Sequence, residues 1–154
     1  MLSPSLEDYL EELYRFSLSN DIVRVTDISQ KLNVSLPSVS KALCKLKAGQ
    51  YIHYQPYGII QLTATGREKG KFLVERNKLL QEFLTLICAP CDIGAEVEAM
   101  EHYLSRDTID SIQLLVTFMR QKPEYYQDFV TYVKQQHNIK GEVGHDENHI
   151  KPIK

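Results

Sequence analysis

The tripeptide Asn33-Val34-Ser35 constrains this chain more than any other stretch. It reads as a tight turn between two short helical segments. One opens at Thr26 or Asp27 and runs to about Leu32. The other starts with Pro37 in its first turn, where a missing amide hydrogen costs nothing, and runs to about Lys47. Ala48-Gly49 ends it. Two β-prone runs follow, Tyr51-Ile52-His53-Tyr54 and Ile59-Ile60-Gln61-Leu62, joined by the turn-forming Gln55-Pro56-Tyr57-Gly58. Helix, turn, helix and a two-stranded wing are the arrangement this order allows.

The flanking segments are helical by pattern. Leu6, Tyr9, Leu10, Leu13 and Tyr14 share one face of a helix over residues 5–18. Thr65-x-x-Glu68 reads as a capping box opening a long helix to about Ile87, with Phe72, Leu73, Leu79, Leu80, Phe83, Leu84 and Ile87 along its apolar stripe. Pro90 breaks it. Asp92 or Gly94 opens a helix reaching Leu104. Asp107 to about Met119 follows, with Ile109, Ile112, Leu115, Val116 and Met119 on one side, and Pro123 opens a last helix to about Gln136. The expected fold class is mostly α: an N-terminal winged helix-turn-helix over residues 1–70 and an all-helical dimerisation domain over residues 71–137. Residues 138–154, polar and glycine-containing, are expected to form a loose tail. The two long apolar stripes exceed what one thin helical layer can hide, so they predict a core and a two-fold interface.

Net charge is only −2, but it is unevenly spread. Residues 24–78 hold ten Lys/Arg against three Asp/Glu, a net of +7, while residues 1–23 sum to −4 and residues 79–154 to −5. A basic middle between acidic flanks suits a polyanion-binding module joined to a cation-binding one. At 43% hydrophobic and 25% charged, the composition is that of a soluble protein, and no apolar run nears the roughly 20 residues of a membrane span. The start, Met1-Leu2-Ser3-Pro4, has no basic region followed by an apolar stretch, and Cys44, Cys88 and Cys91 make an odd set. No signal peptide, no membrane contact and a reducing cytoplasm are expected.

The second helix of such a motif enters the major groove and meets base edges with its N-terminal part. Here that part offers Ser35, Pro37, Ser38, Ser40 and Lys41. Lys41 and Lys45, with Lys47, suit phosphates, which fix register without reading sequence. Thr26 opens the preceding helix, and Tyr57 in the wing turn is placed to reach the DNA backbone or the minor groove. The partner these residues predict is a double-stranded DNA operator. Val39, Leu43 and Leu46 have the spacing to face inward.

Two acidic clusters bracket this module. Asp8-x-x-Glu11 and Glu98-x-x-Glu101-His102 have helical spacing, so each set can face one spot. Oxygen donors with one imidazole suit a hard or borderline divalent cation such as Mn²⁺ or Fe²⁺. The competing reading is ordinary solvated acids: Ser5-x-x-Asp8 is itself a capping-box pattern.

The chain resembles the DtxR/MntR family of metal-dependent transcriptional repressors, specifically its short manganese-responsive branch. The resemblance covers roughly residues 4–120. It rests on Pro4-Ser5-Leu6-Glu7-Asp8-Tyr9-Leu10-Glu11, on Val25-Thr26-Asp27-Ile28 with the helix-turn-helix after it, on Leu62-Thr63-Ala64-Thr65-Gly66, and on Glu96-Val97-Glu98-Ala99-Met100-Glu101-His102-Tyr103-Leu104-Ser105. It implies a homodimer that binds an operator through its N-terminal domains, dimerises through its C-terminal half and binds metal where the two parts meet. Asp8, Glu11, Glu98, Glu101 and His102 match the family's ligand positions. Glu98 stands where iron-responsive members tend to carry a cysteine, and a carboxylate there favours Mn²⁺, with Fe²⁺ or another divalent metal as the alternative. Asn77 stands where the manganese-responsive pattern has a histidine. Its amide oxygen is a weaker ligand, which implies fewer metals or a shifted selectivity.

The reading is therefore a metal-activated transcriptional repressor, sensing Mn(II), controlling metal-uptake genes, and not an enzyme. Two alternatives stand beside it: a winged-helix regulator that binds DNA without metal, and a carboxylate-bridged metal hydrolase. Cys88-Ala89-Pro90-Cys91 is expected to be a reduced, partly buried pair, and His145 and His149 have H-x₃-H spacing in the tail.

Overall fold

The computed structural model describes residues 2–19, 22–55 and 59–143. The expected turn Gln55–Gly58 falls mostly outside them, as do Tyr57 and the tail histidines His145 and His149. The chain divides into two compact units, Met1–Lys78 and Leu79–Lys154.

In the first unit, α1 (Pro4–Leu18), α2 (Val25–Leu32) and α3 (Leu36–Ala48) enclose a core of Leu10, Ile28, Val39, Leu43 and Leu46, all fully buried. The turn between α2 and α3 is set by Asn33, which takes a left-handed conformation (φ 51°) that asparagine tolerates better than most residues. It is locked on both sides: the Val34 amide donates to the Ser29 carbonyl (3.0 Å) and the Ser29 hydroxyl donates to the Val34 carbonyl (2.6 Å). Ser35 then caps α3, its hydroxyl accepting from the Ser38 amide at 3.3 Å.

The wing is shorter than its β-prone runs suggest. Strands β1 (Ile52–His53) and β2 (Gln61–Leu62) pair antiparallel, Ile52 opposite Leu62 and His53 opposite Gln61. An isolated two-stranded ribbon is marginal in water, so the ladder persists only beside its anchored base. That anchor is Thr63, whose hydroxyl donates to the carbonyls of Gln50 (2.7 Å) and Tyr51 (3.0 Å) and accepts from the Gly66 amide at 3.0 Å. Thr63, not Thr65, therefore starts the long helix α4 (Ala64–Leu86), and the expected capping box does not form. Gly66 is required there, since a Cβ would lie 1.8 Å from the Tyr51 carbonyl oxygen. Gly70 has a similar constraint against Tyr14 of α1, at 2.6 Å.

The second unit comprises the end of α4, then α5 (Ile93–Met100), α6 (Arg106–Gln121) and α7 (Pro123–Val143). Its core is Leu79, Leu80, Leu84, Val97, Ile109 and Val116. Helix α5 opens on Asp92, whose carboxylate accepts from the Ala95 amide at 3.1 Å. It ends at Met100 rather than Leu104, and Glu101–Tyr103 form a turn. The physical reason is the next cap. Ser105 must leave the helical region (φ −69°, ψ 159°) for its hydroxyl to cap α6 through the Thr108 amide. Helix α7 runs through Val143, past the expected end near Gln136. Gly141 costs roughly 1 kcal/mol relative to alanine, too little to stop a helix alone. The stripe expected on α6 divides: Ile109 and Val116 are buried, Ile112 and Met119 are half-buried and Leu115 is exposed; Leu114 and Phe118, off that stripe, are exposed too, with Tyr125 of α7 stacked on Phe118. Cys88 is half-buried, with a left-handed backbone, and Cys91 is exposed rather than partly buried; both are free thiols. No described helix is long and apolar enough to cross a membrane.

Candidate nucleic-acid interface and metal ligands

Helix α3 buries Val39, Ala42, Leu43 and Leu46 on one side. The opposite ridge is Pro37, Lys41, Cys44 and Ala48 at helical spacing, flanked by Ser38, Lys45 and Lys47; all are exposed, and Ser40 is half-buried. This face carries three cations and no acid. Ser35 is exposed but occupied, because it caps the helix and its hydroxyl lies 2.8 Å from that of Ser38. Thr26 is exposed in the first turn of α2. Cys44 is the residue of this face that the sequence reading missed. The signal was present, since position 44 lies opposite the apolar stripe, but charged and hydroxyl side chains drew the attention.

The N-terminal acids lie on α1 of the first unit. Glu11 is buried, at 6% exposure, and Asp8 is half-buried, as is Asn77 on α4. The Arg15 guanidinium holds Glu11 at 2.5 Å and reaches Glu12 at 3.6 Å. Burial raises the carboxyl pKa of Glu12, an effect that Lys31 and Arg15 oppose and that Glu11 and Asp8 reinforce. Burial and the charge of Asp8 likewise raise the phenol of Tyr9. Glu7 is also buried and sits between Arg76 (3.0 Å) and Lys69 (2.8 Å) of α4, tying α1 to that helix. These pairs were missed too. Glu75, two residues before Asn77 on α4, is exposed and reaches Lys71 at 3.7 Å.

In the second unit, Glu98 is exposed on α5 while Glu101 is buried, at 3% exposure, in the turn after it. The His102 imidazole is 7% exposed, its Nε2 3.9 Å from the Glu101 carboxylate. Among the described residues, no three His, Cys, Asp or Glu side chains are gathered into a metal-holding group. Each unit carries candidate donors of its own. Their chemistry, carboxylate oxygens and one imidazole with buried carboxylates among them, fits a hard or borderline divalent cation.

A winged helix with a basic ridge, followed by a helical unit bearing carboxylate and imidazole donors, defines the class of metal-responsive DNA-binding regulators. Residues 1–60 match the iron dependent repressor N-terminal DNA-binding domain, and residues 63–129 match the iron dependent repressor metal-binding and dimerisation domain. The chain belongs to the iron dependent repressor family. It is 37% identical over 140 residues to the HTH-type transcriptional regulator MntR of Lysinibacillus sphaericus (strain C3-41), covering 90% of this chain and 100% of the relative. To the regulator of that name from Listeria monocytogenes serotype 4a (strain HCC23) it is 39% identical, over 80% of this chain and 88% of the relative. Among solved structures, the manganese regulator SloR shares the fold at a TM-score of 0.67 and 24% identity, over 76% of this chain and 55% of SloR. ScaR with bound Zn²⁺ superposes at 0.62 and 26% identity, over 73% and 54%. The chain thus spans about half the length of these solved structures. It is a transcriptional repressor that binds DNA, metal and a second copy of itself, and not an enzyme; the hydrolase alternative falls with that assignment.

Proposed function

We propose that this protein is a cytoplasmic, Mn(II)-activated repressor of metal-uptake genes. The observation that carries the metal is that each unit buries a candidate carboxylate, Glu11 in one and Glu101 in the other, the second beside an imidazole. The relatives named MntR support manganese over iron. Asp8, Glu11 and Asn77 from one unit and Glu98, Glu101 and His102 from the other supply the ligands. Bound metal offsets the repulsion among the acids and favours the conformer that fits the operator, in proportion to its preference for that conformer.

On DNA, Lys41 and Lys45 contact phosphates and Ser38 and Ser40 meet base edges, with Pro37 packing close to the groove. Ser35 belongs to the same base-facing end of the helix, Thr26 contacts DNA from the start of the preceding helix, and the wing residue Tyr57 reaches the backbone or the minor groove. The exposed apolar residues Leu114, Phe118 and Tyr125 supply the two-fold face, and sedimentation is expected to give a dimer with or without metal. The deciding experiment is an operator-binding titration in Mn²⁺, Fe²⁺, Zn²⁺ and chelator. Mn²⁺ should strengthen binding; equal affinity in chelator would instead establish the metal-independent regulator, a reading that the weak ligand Asn77 favours. In the same assay, Lys41→Ala with Lys45→Ala should weaken binding to every duplex and lower the salt slope by roughly one unit per lysine.

A further inference from the structure

Helix α1 carries four acids, Glu7, Asp8, Glu11 and Glu12, and one base, Arg15. Two of the acids are buried, and a protein cation holds each of them in a different way. Glu7 lies between Lys69 and Arg76, the latter 5% exposed, on another helix. Nothing can exchange there without breaking the seam between α1 and α4. Glu11 is held from its own helix by Arg15, whose side chain is 36% exposed. Arg15 also has a second acceptor within reach, Glu12 at 3.6 Å. As a basic residue in the last turn of α1 it is favoured at that position by the helix dipole whether or not it holds Glu11.

We infer that Arg15 is a resident competitor for the metal at Glu11 and sets how much free metal the protein needs. The inference rests on the reading of Glu11 as a ligand. Without metal, the guanidinium neutralises a buried carboxylate that would otherwise be costly to desolvate. The guanidinium occupies one carboxylate oxygen, Oε1: a cation that takes Oε2 alone shares the carboxylate with it, and one that takes both oxygens displaces it toward Glu12 or into solvent. A divalent ion then replaces a single positive charge at the carboxylate, while the displaced guanidinium remains close enough to repel it. Both effects lower the apparent metal affinity. The Arg15 side of this pair is partly open to solvent and therefore screened, so the competitor tunes the threshold and does not block the site. Arg15 is thus a positioning residue that acts through Glu11.

The test is Mn²⁺ calorimetry on the full chain with wild type, Arg15→Met and Arg15→Lys, alongside metal-free thermal melts. Arg15→Met, which keeps the stem and removes the charge, should bind Mn²⁺ roughly threefold to tenfold more tightly, and Arg15→Lys should fall between it and wild type. Mn²⁺ uptake by Arg15→Met alone would be the strongest form of the same result. Unchanged or weaker Mn²⁺ affinity in Arg15→Met would overturn the inference, and a lowered melting temperature with unchanged affinity would reduce Arg15 to an ordinary helix ion pair. If wild type binds Mn²⁺ and Glu11→Gln does not alter that binding, Glu11 is not a ligand and the competitor is excluded with it. If neither wild type nor Arg15→Met binds any Mn²⁺, the manganese reading itself fails.

Discussion

Among the described residues, buried carboxylates occur in two places, on α1 and in the turn after α5, and their neighbours differ. On α1, Glu7 and Glu11 are each in contact with lysine or arginine side chains. After α5, Glu101 lies beside the His102 imidazole, and α5 itself contains no lysine or arginine. Acid of the first kind contributes to folding with or without an added cation. Glu101 instead has an imidazole beside it, a neutral metal-ligating group when unprotonated. The same residue type is thus held by guanidinium and ammonium groups on α1 and set next to an imidazole after α5. Glu11 differs from Glu7 in being held from its own helix by a partly exposed arginine.

The comparison is open to breakage by mutation. The largest effect is expected at Glu7. Glu7→Ala leaves Arg76 buried beside a lost partner and should cost about 3–5 kcal/mol in metal-free denaturation. Glu98→Gln, on the exposed face of α5, should stay within about 0.5 kcal/mol in the same assay. Equal losses would erase the distinction between the two regions. Next come the proposed ligands: Glu11→Gln or His102→Ala should abolish the Mn²⁺ enhancement of operator binding, an allosteric coupling typically worth about 1–3 kcal/mol. Circular dichroism should show the helices intact. A smaller gain, about tenfold in Mn²⁺ affinity or an added metal in calorimetry, is expected from Asn77→His, since an imidazole is a stronger donor than an amide oxygen. No gain would remove Asn77 from the ligand set.

The helical frame was legible because its signals are local. The turn at Asn33, the cap at Ser35 and the proline at position 37 lie within a few residues of the boundaries they mark. The start of α4 was not, because Thr63 and Thr65 are equally good caps by sequence. The Gln50 and Tyr51 carbonyls decide between them, and only the folded chain brings these to Thr63. The end of α5 was misread for a related reason: the Ser105 cap belongs to the next helix and overrides a continuous helical pattern. At the candidate site the acids were readable from their spacing. Their protein partners were only partly so. Arg15 stands four residues from Glu11 and was within reach of the same spacing argument. Arg76 and Lys69 are brought to Glu7 by tertiary packing, which no local pattern encodes.

The Thr63 hydroxyl has an evolutionary consequence. It closes the base of the wing by bonding back to Gln50 and Tyr51, and it launches α4 in the same stroke. The chain between Tyr54 and Ile60 therefore connects two ends already held together. Lengthening a connection between two such ends adds little closure entropy, about 0.6 kcal/mol for each doubling. Residues can be gained, lost or exchanged between them at little cost to the fold, so the length of this connection becomes a trait that varies independently of the helices behind it.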